Sequence, residues 1–104
     1  MLLTVKSERI GASLNIAVKG VLDYSTVESF DFVNETPQGV TEFNVDFAEL
    51  EFIDSTGIGS ILTVLHKANE LQAKVNFNNM SEETKALFET IGVFDIKKSL
   101  LGEE

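Results

Sequence analysis

The sequence contains no cysteine and no tryptophan, and it has only one histidine and one proline. Without cysteine there is neither a disulfide nor a thiolate metal site, and one histidine is too few for a histidine-rich metal centre. Basic residues are scarce too, because 8 Lys and Arg stand against 17 Asp and Glu, a formal net charge of −9. Such a charge repels nucleic-acid phosphates and anionic membranes. We predict no metal, no other cofactor and no nucleic-acid partner.

Long hydrophobic runs are also missing. A membrane-spanning helix needs roughly 18 or more consecutive apolar residues, and no such run occurs. The first residues, "MLLTVKSERIG", have neither a basic leader nor a long apolar stretch, so a signal peptide is not expected. The length of 104 residues suits one hydrophobic core. We predict a single cytoplasmic domain over residues 1–104, without membrane insertion and monomeric when free.

Alternation of apolar and polar residues predicts the strands. In "LNIAVK", residues 14–19, every second residue is apolar, and "LLTVK" before it pairs across a turn at Gly11. Phe43, Val45 and Phe47 alternate in the same way, and "KVNF" at 74–77 is a short strand. The chain therefore opens with a hairpin and adds two further strands.

Two segments predict the first helices. Ser25 and Glu28 have capping-box spacing at the start of a helix from 25 to 34, with Val27 and Phe30 on its apolar face. From Gly57 to Leu71 apolar residues recur every three and four positions, which is typical of an amphipathic helix.

A third helix follows "KVNF". Ser81 is its expected cap, Leu87, Phe88 and Ile91 its expected buried face, and Gly92 its left-handed end. For the remaining tail, from residue 93, we expect one edge strand and a frayed end.

The order β-β-α-β-α-β-α predicts an α/β domain with a mixed sheet packed with helices. Ligands and chemistry collect at loops between the carboxyl end of a strand and the next helix. "DSTGIG", residues 54–59, occupies such a loop.

Catalysis at this loop is not expected. Ser55 would need a base, and His66 lies about three helical turns away, roughly 13 Å or more at 1.5 Å per residue. The loop matches neither G-x-S-x-G nor a phosphate-cradling glycine loop. We predict that the protein is not an enzyme and that His66 is a solvated surface residue.

The loop instead suits a protein contact. Asp54 or Ser55 can cap the helix, but a cap needs only one oxygen-bearing side chain, and Thr56 supplies a third. Gly57 and Gly59 remove side chains from the first turn, at roughly 1 kcal/mol each relative to alanine. This leaves a hydroxyl open to another protein, and a helix N-terminus tolerates a phosphoserine dianion. A phosphorylation switch on a binding surface is thus permitted.

"FIDSTGIG" at 52–59 has the pattern [FY]-[MLI]-D-S-[STA]-G-[LI]-G, "GVLD" at 20–23 has the pattern G-x-[LIV]-D, and "ALFETIGVFDI" at 86–96 is similar to a third helix and its following turn. With these motifs the chain resembles the STAS domain family, and within it the stand-alone anti-sigma factor antagonists of bacteria. The resemblance covers nearly the whole length.

The resemblance implies the STAS fold and partner switching in transcription regulation and signal transduction. Ser55 matches the serine phosphorylated by a serine kinase that doubles as the anti-sigma factor, with Thr56 as the alternative acceptor. The unphosphorylated protein would bind the kinase, the phosphorylated protein would release it, and a PP2C-type phosphatase would reset the switch. The expected partner-binding residues are Asp23, Asp54, Ser55, Thr56, Gly57, Gly59, Ser60 and Thr63.

Other assignments stay open. Phe30, Phe32 and Val64 could belong either to the core or to the partner surface. The chain could also be a non-phosphorylated STAS subunit of a lipid-transport complex, or a scaffold of a large signalling assembly.

Overall fold

Four strands form one mixed sheet in the order β1-β2-β3-β4. The computed structural model describes residues 3–23, 26–36 and 38–102, without the side chain of Val27. The strands are β1 (Leu3–Ile10), β2 (Ser13–Leu22), β3 (Glu42–Ile53) and β4 (Lys74–Asn78). β1 pairs antiparallel with β2, while the β2–β3 and β3–β4 pairs are parallel. The predicted mixed sheet and opening hairpin are confirmed.

Helical segments connect the parallel strands and follow the last strand. A 3₁₀ helix (Val27–Glu35) lies between β2 and β3, and α1 (Ser55–Leu71) lies between β3 and β4. Two helices, α2 (Glu82–Ile91) and α3 (Val93–Leu101), follow β4. Parallel neighbours require such crossovers.

The core lies between the helices and one face of the sheet. Alternate residues of the strands are buried there because successive side chains point to opposite faces. The buried strand residues include Ile16, Val18, Phe43, Val45, Phe47 and Val75. Phe88 of α2 is fully buried, and its ring centroid lies 5.7 Å from Phe47, 5.5 Å from Phe77 and 5.9 Å from Phe94.

The opposite face of the sheet is polar and partly exposed. Asn15, Asn44 and Asn76 stand in register on β2, β3 and β4. The amide of Asn76 donates to Oδ1 of Asn44, and the amide of Asn44 donates to Oδ1 of Asn15, each at 2.9 Å. Glu42 accepts hydrogen bonds from both Asn44 and Asn76 and also from Ser13. These bonds, led by the one from Asn44, lower the pKa of Glu42.

The first helix differs from the expected α-helix. It is a 3₁₀ helix that begins after Thr26, and its predicted cap, Ser25, lies outside the described residues. Phe30 and Val33 are both buried, and a spacing of three residues suits the three-residue turn of a 3₁₀ helix. Phe30 is therefore a core residue, whereas Phe32 is half-buried and packs against the core.

The tail prediction was wrong. In place of an edge strand, residues 93–101 form α3, with Val93 buried and Leu100 and Leu101 packed against the core. Gly92 is left-handed (φ +88°), and its carbonyl accepts from Ile96 N–H at 3.0 Å. The glycine that ends α2 therefore also begins α3.

Two helix details also differ. α1 begins at Ser55 and not at Gly57. In α2, Ser81 is the cap and Phe88 is buried as predicted, but Ile91 is 38% exposed. Val64, whose position was open, is fully buried.

Candidate functional site

The site begins where β3 passes into α1. Asp54 is the N-cap of α1, with extended backbone angles, and its Oδ1 accepts a hydrogen bond of 2.8 Å from the N–H of Gly57. Its carbonyl accepts from Ile58 N–H at 3.1 Å. The cap role predicted for Asp54 or Ser55 therefore belongs to Asp54, and the side chain of Ser55 is not used to hold the turn.

Ser55 and Thr56 are the first two residues of α1, and both are exposed. The first amides of a helix have no intrahelical acceptor. Within the described residues, no hydrogen bond uses the backbone N–H of Ser55 or of Thr56. An exposed hydroxyl thus stands beside open N–H donors and the positive end of the helix dipole, which favours an anion there.

The two glycines have different surroundings. A Cβ on Gly57 would overlap the carbonyl oxygen of Leu22 and lie 2.8 Å from its carbonyl carbon and 3.1 Å from Cγ1 of Ile53. A Cβ on Gly59 would meet nothing within 4 Å. Gly57 therefore lets α1 approach the end of β2, whereas only Gly59 leaves space open to an approaching molecule.

Asp23 lies in the neighbouring loop, directly after β2. Its backbone N–H donates to Oγ1 of Thr26 at 2.9 Å, and the Thr26 hydroxyl donates to the carbonyl of Val21 at 2.8 Å. The N–H of Asp54 approaches the carbonyl of Leu22 at 3.4 Å. The structure thus brings the "GVLD" and "DSTGIG" motifs together, although they are separate in sequence.

The remaining predicted residues lie along α1. Ser60 was expected to contact the partner, but it is only 4% exposed, so its side chain is not open on the surface of α1. Thr63 is half-buried, and its hydroxyl donates to the carbonyl of Gly59 at 3.2 Å. A groove of about 270 Å³ runs between α1 and the 3₁₀ helix, lined by Glu28, Asp31, Thr56, Gly59, Ser60 and Thr63.

Sequence reasoning missed three residues near this turn. Glu28 and Asp31 were not recognised as part of the groove, because only the fold brings the 3₁₀ helix beside α1. Phe52 was treated merely as the end of a strand, but it is 54% exposed. In the sequence, the available signal was that Phe52 follows Glu42, Asn44 and Asp46 at even-numbered positions of the strand, out of step with the buried Phe43, Val45 and Phe47.

The structure also shows where His66 lies relative to Ser55 and whether metal ligands cluster near the site. His66 is exposed and lies eleven positions along the helix from Ser55, roughly 16 Å away at 1.5 Å per residue. In residues 3–23, 26–36 and 38–102, no three His, Asp or Glu residues are arranged to hold a metal ion. No helix in this part of the chain is long and apolar enough to cross a membrane.

Solved structures with the same architecture include known regulators. The anti-sigma factor antagonist SpoIIAA in its unphosphorylated form matches with a TM-score of 0.66 and 19% identity, over 90% of this chain and 98% of that chain. The phosphorylated SpoIIAA of Bacillus matches with a TM-score of 0.67 and 21% identity, over 88% and 86%. An anti-sigma factor antagonist STAS domain from Rhodobacter sphaeroides matches with a TM-score of 0.63 and 24% identity, over 78% and 94%.

Structures of other kinds match too. A sulfate transporter family protein from Wolinella succinogenes has a TM-score of 0.74 at 9% identity, over 83% of this chain and 71% of that chain. The chain spans only about a fifth of the length of Mglu, at 20%, with a TM-score of 0.65 and 18% identity over 74% of this chain. At these identities the likeness shows the fold alone.

Sequence comparison gives the family. None of the curated proteins matches the chain. The family model described as "Mlab, STAS domain" matches residues 5–102, which is nearly the whole chain. The chain therefore belongs to the STAS domain family.

Proposed function

We propose that the protein is a non-catalytic regulator of the anti-sigma factor antagonist type, which binds a serine kinase through the surface around Ser55 and releases it when Ser55 is phosphorylated. The observation that carries this proposal is the exposed hydroxyl of Ser55 in the first turn of α1, beside open backbone N–H groups. A phosphate there meets the helix dipole favourably, so the fold survives the modification.

The partner contact would not survive it. The surface already carries the carboxylates of Asp54, Glu28 and Asp31, and a phosphate adds about −1.5 to −2 charges. A kinase surface seated on this turn would have to bury that dianion or face it, and like charges brought together at an interface cost several kcal/mol. A loss of about 2.7 kcal/mol already weakens binding 100-fold.

The roles of the other residues follow from their positions. Asp54 fixes the turn, Gly57 seats α1 against β2, and Gly59 leaves room for the partner. Thr56 and Thr63 border the groove that the partner would cover, and Asp23 lies in the adjoining loop. A PP2C-type phosphatase would restore Ser55. The likeness to the phosphorylated SpoIIAA structure supports this scheme at the level of fold.

The proposal is tested by mapping the phosphate. The protein is incubated with ATP and a serine kinase of the anti-sigma type from the same organism, and the product is analysed by intact mass and peptide mapping. We expect one phosphoryl group on Ser55, none on Ser55→Ala, and unchanged labelling of Thr56→Val. Labelling confined to Thr56 would move the switch by one residue, and no labelling at either position would contradict the proposal.

A STAS subunit of a lipid-transport complex is the second candidate. It is compatible with the matching family model, which is described as "Mlab, STAS domain" and does not depend on a phosphorylated serine. Such a subunit would co-purify with an ATPase subunit, and its binding would not depend on a phosphate at Ser55. A scaffold protein would differ from both by an assembly mass far above 11.4 kDa.

A further inference from the structure

The edge of β3 that faces away from β2 is paired with another strand along only part of its length. β4 pairs with β3 only from Glu42 to Asp46, and beyond that point the described residues of β3 pair with β2 alone. At the transition, Oδ1 of Asp46 accepts from the N–H of Ala48 at 2.9 Å and from the side-chain amide of Asn79 at 3.0 Å. Residues 49–53 therefore present a strand edge with no neighbouring strand, immediately before the Ser55 turn.

This edge carries one exposed large apolar side chain, Phe52, which is 54% exposed. Leu50, on the other side of a register shift in the β2–β3 pairing, is half-buried and packs against the core. A shallow groove of about 260 Å³ separates the edge from the first half of α2. It is lined by Leu50, Glu51, Phe52, Ile53, Ser81, Glu83, Thr84 and Leu87. Exposed aromatic residues beside a groove are typical of protein interfaces, where they anchor the partner.

The charge of the groove indicates what kind of partner fits. Glu51 and Glu83 line it, and no Lys or Arg does. A second copy of the chain fits poorly, because each copy carries a net charge of −9 and the acidic groove of one would face another acidic protein. A segment that carries Lys or Arg next to an apolar residue has the complementary charge and an apolar group for Phe52.

We propose that an extended, basic segment of the protein partner adds as a strand to residues 49–53 of β3 and packs an apolar side chain against Phe52 and Leu50. Backbone hydrogen bonds to the open edge would supply affinity, and the groove would select the side chains. The inference rests on the proposed function only in that the partner is the kinase seated at Ser55. The edge would then be a second contact of the same partner, one that phosphorylation does not touch directly.

Affinity measurements with matched variants test the proposal. The kinase is titrated against the wild-type protein, Phe52→Ser and Ile10→Ser, the last an equally drastic change at an exposed isoleucine (60%) in the β1–β2 hairpin. We expect Phe52→Ser to weaken binding at least tenfold and Ile10→Ser to change it less than twofold, with all melting temperatures similar. Glu83→Lys should weaken binding, whereas Glu89→Lys, an exposed change on α2 outside the groove, should not. Equal affinities for Phe52→Ser and Ile10→Ser would overturn the proposal.

A photo-crosslinking experiment tests the same contact without assuming that the partner is the kinase. p-Benzoylphenylalanine is placed at Phe52 or at Ile10 in the full chain, and adducts formed in cells are mapped to peptides. We expect an adduct from position 52 alone, on a partner peptide that contains Lys or Arg. No adduct, or only adducts between copies of this chain, would overturn the proposal.

The two proposals can fail separately. If phosphorylation of Ser55 releases the kinase but Phe52→Ser binds normally, the strand-edge contact is wrong and the switch stands. If Phe52→Ser loses binding while phosphorylation has no effect, the contact stands and the switch is wrong.

Discussion

Replacing each of the two glycines of "DSTGIGS" by alanine should change stability in opposite directions. In Gly57→Ala the new Cβ would overlap the carbonyl oxygen of Leu22 and lie 2.8 Å from its carbonyl carbon and 3.1 Å from Cγ1 of Ile53. Overpacking of this kind costs about 1–3 kcal/mol. Because two of the three contacts are with backbone, which cannot turn aside, the cost should lie near the upper end. After a helix-propensity gain of about 1 kcal/mol, the net loss is about 2 kcal/mol.

Gly59→Ala has no such penalty. Its Cβ would meet nothing within 4 Å, so only the propensity gain of about 1 kcal/mol remains. The two variants should therefore differ by about 3 kcal/mol in the free energy of unfolding. For a domain of this size, about 1 kcal/mol shifts the melting temperature by roughly 4 °C or more.

Urea unfolding and calorimetry of both variants provide the assay. We expect Gly57→Ala to melt below the wild-type protein and Gly59→Ala above it. Two variants of equal stability, or a destabilised Gly59→Ala, would refute the assignment of separate roles. A more stable Gly59→Ala that binds the kinase more weakly would show directly that the clearance serves the partner.

Three further changes test the fold at the site, on the polar face of the sheet and in the core. Asp54→Ala should lower stability by about 1 kcal/mol in urea unfolding through loss of the cap, and Asp54→Asn should retain most of it; equal losses in both would contradict the cap. The pKa of Glu42 is lowered in the folded state by hydrogen bonds from Asn44 and Ser13, so its ionised form stabilises the fold above the usual pKa, and this contribution disappears as the pH falls through the lowered value. The stability difference between wild type and Glu42→Gln should therefore shrink on acidification, and a pH-independent difference would argue against it. Phe88→Ala should cost about 3–5 kcal/mol in the same assay, because the ring is fully buried among three other phenylalanine rings; a loss near zero would contradict the burial of this ring.

The sheet and α1 could be predicted because their buried faces repeat regularly. Phe43, Val45 and Phe47 alternate strictly, and Ile58, Ile61 and Leu65 follow the helical period. Such patterns depend only on side-chain direction along an element, which the sequence contains in full. The loop between β3 and α1 could be predicted as well, because it lies between a strand and a helix that both show such a pattern.

The tail and the first helix could not be assigned as securely. Val93, Ile96 and Leu100 do have helical spacing, but Gly92 before them also marks a helix end, and the sequence does not show that one left-handed residue both ends α2 and begins α3. For the first helix, Phe30 and Val33 fit both a 3₁₀ and an α period over so short a segment.

The roles of the site residues depend on contacts between distant segments. Gly57 and Gly59 look equivalent in sequence, and only the approach of Leu22 from β2 distinguishes them. The burial of Ser60 and the open edge beside Phe52 likewise depend on how the 3₁₀ helix and β4 are placed. The sequence therefore predicted a strand-to-helix loop at "DSTGIG", but not which of its two glycines packs against β2 and which is open.

Titration calorimetry of the serine kinase with the protein, before and after stoichiometric phosphorylation of Ser55, tests the proposed switch. Ser55→Asp is compared in parallel with Ser99→Asp, which adds the same charge at an exposed position on α3. We expect at least about 100-fold weaker binding for the phosphorylated protein, a smaller loss for Ser55→Asp, none for Ser99→Asp, and unchanged circular dichroism throughout. Equal affinity of the phosphorylated and unphosphorylated proteins would contradict the proposed switch.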